Sequence, residues 1–502
     1  MRSKKAIINI ISSLTLQFVT VICGFIVPRL IIKNFGSGVN GLITSITQFL
    51  AYISLIESGF GGVVMSMLYK PIANGEKSKI EEILKASEKF FRIVAYIFIV
   101  YIIILCIVLP QVVSNEFNKL YTVSLIIIIA TSTFAEYYFG MTYRLYIQAT
   151  QRMYIVSIIK IVTLIINTIL IVTLINFGAN IQIVKLISTL IFILRPILQN
   201  LYVKKKYNLN LKKAKSGYKI KQKWDGLAQH IASVIHTNTD VVILTIFVNT
   251  LEVSVYSVYL LVISGIRGIV EAFTGGIDAT FGDMIAKGEK ENLNKSFKSY
   301  EGFYFTLSTI ICTSTLFLIL PFVKIYTRDI VDVNYIRPVF SYLIVLAEFL
   351  FLIRIPYSTT TKAAGHFKET RNGAIIEALL NIVISVVLVW KLGIEGVAIG
   401  TLVAMFIRTI EFMYHTSKYI LDRSVLYTFK RLLVIAIEVI IVAIIVNLIP
   451  SVNVTSYLTW IVQAVIVAVI SSLVVIPINC MVYKENVKNV IGVAKNILKR
   501  GK

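Results

Sequence analysis

Nothing in this chain stays polar for long enough to form a soluble domain. Charged residues make up only 15%, hydrophobic residues 57%, and the mean hydropathy is +0.81. Acidic residues are the scarcer sign, 26 Asp and Glu against 50 Lys and Arg, which leaves a formal charge of +24. No Gly-rich phosphate loop of the P-loop type occurs, so the chain carries no ATP motor of its own. A membrane polymerase or glycosyltransferase needs a large extramembrane loop or a carboxylate motif at a membrane edge, and neither is present. The chain therefore reads as no enzyme and as needing no cofactor. The four cysteines, Cys23, Cys106, Cys312 and Cys480, lack metal-ligand spacing and read as packing residues. Histidines number four, and the close pair His230 and His236 lies on different helix faces, which argues against a metal site.

What the chain has instead is apolar length. A helix needs about 20 mostly apolar residues to cross a bilayer. Fourteen stretches approach that length: 6–32, 39–68, 89–111, 120–143, 153–176, 181–202, 224–248, 253–284, 299–323, 338–361, 372–390, 395–417, 432–449 and 456–483. Backbone amides in lipid must be satisfied within the segment, so these are expected to be helices of an all-α polytopic membrane protein. The first is too long for a signal-peptide core and has no small-residue cleavage site, so it is expected to be retained.

The basic residues are unevenly placed. The odd-numbered connections hold six: Lys33, Lys119, Lys324, Arg328, Arg337 and Lys391. The N-terminus, the even-numbered connections and the C-terminal tail hold thirty-five, with nine lysines in 204–223 alone. Cytoplasmic loops are enriched in Lys and Arg, so both termini are expected inside. The excess charge then reflects topology and contact with anionic membrane lipids. Nucleic-acid binding is disfavoured, because the basic residues are spread over eight separate segments.

One short motif repeats. Ile72-Ala-Asn-Gly-Glu-Lys77 recurs as Ile285-Ala-Lys-Gly-Glu-Lys290, 213 residues later, with five of six positions matching. Both copies follow an even-numbered span. This points to a duplicated six-helix unit: an N-terminal lobe over 1–203, a basic linker over 204–223 and a C-terminal lobe over 224–418. Two added spans over 419–483 and a basic tail over 484–502 complete the chain. Transporters built from such repeats hold substrate between them near the midplane.

Ionisable groups at membrane depth are costly and are the best functional clues. Glu57 lies in the second span within Glu57-Ser-Gly-Phe-Gly-Gly62, where glycine allows close approach or unwinding. Arg29 follows Pro28 in the first span and could instead snorkel to the interface. Arg267 and Glu271 are i,i+4 and can pair. Asp240 ends the polar run His236-Thr-Asn-Thr-Asp240 in the seventh span. Glu348 and Arg354 share the tenth span, Arg354 two residues before Pro356. Arg408 and Glu411 share the twelfth, Arg195 precedes Pro196 in the sixth, and Lys160 lies about two turns into the fifth. The expected substrate-binding set is Arg29, Lys160, Arg195, Arg267, Arg354 and Arg408, because guanidinium groups match phosphate oxygens. The expected ion-coupling set is Glu57, Asp240, Glu271 and Glu348, for a proton or Na+. For each, a packed structural role is the alternative. Tyr137, Tyr138, Tyr143 and Tyr146 read as an interfacial belt, with sugar stacking the alternative.

An ordered series of short motifs then resembles one family. It runs Pro28-Arg29-Leu30, Val39-Asn40-Gly41-Leu42, Gln48-Phe49-Leu50, Leu55-Ile56-Glu57-Ser58-Gly59 and Leu68-Tyr69-Lys70-Pro71. Thr239-Asp240, Val255-Tyr256-Ser257-Val258-Tyr259, 363–370 and 393–401 follow. The chain resembles the polysaccharide-transport branch of the MOP superfamily, which includes Wzx-type oligosaccharide-lipid flippases. That resemblance implies a two-lobed fold in a bacterial cytoplasmic membrane, alternating access, and an undecaprenyl-pyrophosphate-linked oligosaccharide as substrate. A polysaccharide polymerase and glycosyltransferases are the partners it implies. A MATE-like ion-coupled small-molecule exporter and a non-transporting scaffold for glycan enzymes are the alternatives.

Overall fold

A computed structural model describes residues 2–57, 60–209, 211, 238–271, 277–449 and 453–483. The described residues are helices and short connections. In chain order the helices are α1 (Arg2–Phe35), α2 (Ser37–Ala51), α3 (Ser54–Glu57), α4 (Phe60–Asn74), α5 (Lys77–Val112) and α6 (Lys119–Ala135). A π-helical turn, Glu136–Gly140, joins α6 to α7 (Met141–Ala149), followed by α8 (Met153–Asn176) and α9 (Ile181–Tyr207). Then come α10 (Asn238–Phe247), α11 (Thr250–Glu271), α12 (Ile277–Ala286), α13 (Lys290–Tyr326), α14 (Pro338–Ala363) and α15 (Arg371–Leu392). The last are α16 (Ile394–His415), a π-helical turn Thr416–Ile420, α17 (Leu426–Leu448) and α18 (Tyr457–Val482).

Twelve helical segments among the described residues are long and apolar enough to cross a membrane. The expected second span is the informative exception. It is interrupted after α2, and is described again as α3 and, beyond residues 58–59, as α4. At the first break the amides of Tyr52 and Ile53 turn back to the carbonyls of Phe49 and Leu50, three residues earlier, which tightens and ends α2. The expected seventh span is described only from Asn238. Residues 212–237, which hold most of the basic linker together with His230 and His236, lie outside the described residues, as does the tail from 484.

The repeated hexapeptide forms the same turn twice. In the first copy the amide of Glu76 bonds the carbonyl of Pro71 at 2.9 Å, and Lys77 bonds Gly75 at 2.9 Å. In the second, Glu289 bonds Met284 at 2.9 Å and Lys290 bonds Gly288 at 2.9 Å. Gly75 and Gly288 sit at φ +70° and +71°. This is a glycine-centred helix stop, in which a residue without a Cβ takes the left-handed conformation. Each turn launches one of the two longest helices, α5 with 36 residues and α13 with 37. At 1.5 Å per residue either would extend about 54 Å, longer than a hydrocarbon core of about 30 Å. The charged surroundings differ: a hydrogen bond from Lys79 holds the exposed Glu76 carboxyl below its ordinary range, whereas Asp283 raises Lys287.

The chain divides into two compact units, Met1–Ser257 with Ile330–Val333, and Val258–Asp329 with Asn334–Lys502. Within the second, α15 and α16 pack closely because Gly400 leaves room: a Cβ there would fall 2.1 Å from Ser385 Oγ. Small residues let helices approach where no hydrophobic force distinguishes partner from lipid.

Candidate functional site

In the second unit the sequence-selected charges Arg267, Glu348, Arg354, Arg408 and Glu411 are brought together with Glu377, which the sequence reading did not single out. Arg267 on α11 grips Glu348 on α14 with both ends of its fork, Nε to Oε1 at 3.1 Å and Nη2 to Oε2 at 2.5 Å. Glu348 is 2% exposed. Phe351, three residues on, lies against two guanidinium groups, Arg267 at 4.1 Å and Arg354 at 5.0 Å from its centroid. Arg354 donates to Glu377 at 2.7 Å. Arg408 reaches the other oxygen of Glu377 at 3.4 Å, donates to Glu411 at 2.5 Å and also bonds the Thr370 carbonyl at 3.0 Å. Three arginines thus face three carboxylates, and the formal charge of the network is zero. Helix periodicity contributes: Phe351 is i,i+3 from Glu348 and i,i−3 from Arg354 on α14, so its ring lies between the two charges. The i,i+4 neighbour Glu271 stands at the end of α11, where both Arg267 and Glu348 act on it electrostatically.

The first unit carries a cluster of the opposite kind. The π-helical turn widens the helix between α6 and α7 and sets Glu136 beside Arg144, whose Nη1 lies 3.2 Å from the Glu136 carboxylate. Arg195 on α9 donates from Nε to Thr163 Oγ1 on α8 at 2.8 Å and stacks over Phe192 at 4.0 Å. Pro196, the next residue, packs on Gly140, where a Cβ would come within 2.6 Å of the proline ring. Lys160, one turn from Thr163, is close enough to Arg144, Glu136 and Arg195 for each to act on its charge. Among the described residues Arg144 pairs with Glu136, while Lys160 and Arg195 form no ion pair of their own.

The other predicted residues are placed as follows. Arg29 is half-buried on α1. Glu57 is the last residue of α3, and its side chain lies outside the described residues. Asp240 on α10 is 5% exposed and accepts a hydrogen bond from the Tyr256 hydroxyl at 2.7 Å. The tyrosine belt expected from sequence is corrected: Tyr137, Tyr143 and Tyr146 are buried among neighbouring helices, and Tyr138 lies beneath Arg92 at 5.2 Å.

Two groupings escaped the sequence reading. Glu301 on α13 is fully buried and binds Arg423 (Nη1 to Oε2, 3.1 Å), Arg431 (Nη1 to Oε2, 3.1 Å) and the Tyr357 hydroxyl. This clamp ties α17 and the loop before it to α13 and α14. Both stand at window edges, Glu301 near the start of 299–323 and Arg431 one residue before 432, so neither was singled out among the charges at membrane depth. The second grouping is His366 with His415, whose ring nitrogens lie 3.0 Å apart although the residues are 49 positions apart in sequence.

No protein-family model and no curated protein matches the chain. Solved structures do. One is "Lipid II flippase MurJ, inward closed conformation", 17% identical, covering 95% of this chain and 100% of that one, TM-score 0.68. Another is the inward-facing conformation of a multidrug resistance MATE family transporter of the MOP superfamily, 12% identical, covering 82% and 98%, TM-score 0.60. A third is the Vibrio cholerae MATE transporter VcmN in the bent form, 13% identical, covering 83% and 97%, TM-score 0.55. At these identities the likeness establishes the fold: this chain is a multi-helix membrane protein with the fold shared by the MurJ flippase and the MATE transporters.

Proposed function

We propose that the protein is a flippase that moves an undecaprenyl-pyrophosphate-linked oligosaccharide across a bacterial cytoplasmic membrane by alternating access. The carrying observation is coverage. The likeness to the lipid II flippase spans 95% of the chain, that to the two MATE structures 82% and 83%. The basic interior supports the same reading, because buried guanidinium groups suit phosphate oxygens and repel a cationic drug. In this proposal Arg29, Lys160 and Arg195 of the first unit and Arg267, Arg354 and Arg408 of the second are the candidate substrate-binding residues. Asp240, Glu271 and Glu348, with Glu57, are the groups through which a proton or Na+ gradient would act.

Purified protein in proteoliposomes, given a fluorescent prenyl-diphosphate-linked oligosaccharide, should expose it to a membrane-impermeant quencher on the opposite face. Efflux of a cationic dye with no movement of the glycolipid would replace this reading with the exporter. Sidedness has its own test. In intact cells, Asn210→Cys should resist an impermeant thiol reagent, and labelling from outside would invert the map.

A further inference from the structure

We propose that His366 and His415 form a proton-controlled contact: it fastens the loop 364–370 to the end of α16 while at most one of the two rings is charged, and releases it when both are. The observation is geometric. Nδ1 of His366 lies 3.0 Å from Nε2 of His415, and the ring planes meet at 78° with centroids 5.2 Å apart. His415 is buried and His366 half-buried. One hydrogen fits between the facing nitrogens, so one ring supplies an N–H and the other a lone pair. A neutral imidazole facing a neutral or a protonated one meets that condition. Two imidazolium rings do not, because both facing nitrogens then carry hydrogens and two like charges stand side by side.

The backbone presents His366 to α16. The end of α14 makes, a third time, the turn of the duplicated hexapeptide. Gly365 sits at φ +72°, its amide bonds the Lys362 carbonyl at 3.0 Å, that of His366 bonds Thr361 at 3.2 Å and that of Phe367 bonds Gly365 at 2.8 Å. Glu76 and Glu289 hold the corresponding place in the other two turns. Three bonds that do not titrate near neutrality join the same helix ends. They are Thr361 Oγ1 with Thr416 Oγ1 at 2.9 Å, Thr416 Oγ1 to the Tyr357 carbonyl at 3.2 Å and Arg408 to the Thr370 carbonyl at 3.0 Å. The charges acting on His415 are of opposite sign, Glu369 from the loop and Arg408 from α16. Arg408 is itself met by Glu377 and Glu411. On the π-helical turn the Tyr419 ring lies 5.1 Å from that of His415, and Lys418 stands 5.5 Å from the Tyr419 centroid. The closed contact accepts one proton at most and the open one two, so opening takes up a proton. The contact is firmest above about pH 7 and loosens as pH falls through about 6, the ordinary range of imidazole. The loop belongs to an even-numbered connection, expected inside, so acidification of the cytoplasm is the signal.

The test is hydrogen–deuterium exchange of the full-length protein in neutral detergent at about pH 7.5 and about pH 5.5, either side of the ordinary imidazole value, with exposure times scaled for the chemical exchange rate. Amides of 366–370 should exchange about tenfold faster at the lower pH, the effect of one extra proton about one unit below that value. The turns at Gly75 and Gly288 share the backbone geometry and hold no histidine, so they are the internal control and should not respond. His366→Gln and His415→Gln each keep a hydrogen-bonding side chain but remove a titrating one. In both variants the loop should exchange at one rate at the two pH values, whether that rate is the protected or the open one. Wild-type exchange indifferent to pH, an equal response in the two control turns, or a response that survives both substitutions overturns the proposal. The readout requires no translocation, so it stands whichever way the glycolipid assay falls.

Discussion

The two helical units bury similar residues to opposite electrostatic ends. In the second, Arg267, Arg354 and Arg408 each hold a carboxylate, and Glu301 holds two further arginines. In the first, Arg144 pairs with Glu136, and Lys160 and Arg195 form no ion pair among the described residues. Counting arginines in spans therefore does not measure the charge a site offers, because a guanidinium already gripped by a carboxylate in low dielectric is a neutral object to an approaching anion. The second unit uses its charges to hold helices together. The first leaves charge unspent.

The largest consequence should appear where pairing is most complete. Glu301→Gln leaves Arg423 and Arg431 buried beside a neutral amide, and should cost about 3–5 kcal/mol, since removing one partner strands the other charges. Purified protein should melt many degrees lower. An unchanged melting temperature would mean the clamp is not a stability element. Glu377→Gln should come next, at about 2–4 kcal/mol, because Arg408 keeps Glu411 while Arg354 loses its carboxylate. Arg195→Gln is its counterpart in the first unit. It should leave the melting temperature unchanged or raise it, because it relieves repulsion among three cations. Equal losses from Glu377→Gln and Arg195→Gln would erase the contrast between the units.

The duplicated turns provide a comparison in which the units should agree. A Cβ at Gly75 or at Gly288 meets nothing within 4 Å, so only the backbone conformation is at stake. Gly75→Ala and Gly288→Ala should each cost about 1 kcal/mol. A much larger loss at one would mark a contact that the shared turn does not require. The smallest effect on stability is expected from Glu136→Gln, a few tenths of a kcal/mol for a half-exposed pair. It removes only the Glu136–Arg144 pair, so the melting temperature should barely move, and a large drop would mean that Glu136 holds Arg144 in place.

Much was legible before any coordinates. Apolar length and backbone saturation in lipid dictate helices, and the windows that became α5, α8, α9, α14 and α15 lie within or against those helices. The hexapeptide at 72 and 285, read in the sequence as the mark of a duplicated unit, forms the same turn at both places, each around a glycine in the left-handed conformation. The interruption of the expected second span at Tyr52 and Ile53 was not legible, because it precedes the glycines of 57–62 that suggested local unwinding.

Pairing was the part that only the tertiary structure decided. The sequence read Arg267 against its helical neighbour Glu271, at the distance a single helix makes obvious, whereas its bidentate partner is Glu348, 81 positions away. Glu301 and Arg431 meet across 130 positions, and His366 and His415 across 49. Whether a charge at membrane depth is spent or available depends on the rotation and depth at which separate helices pack. Those are set by the shapes of many apolar side chains at once, and no local pattern of residues encodes them.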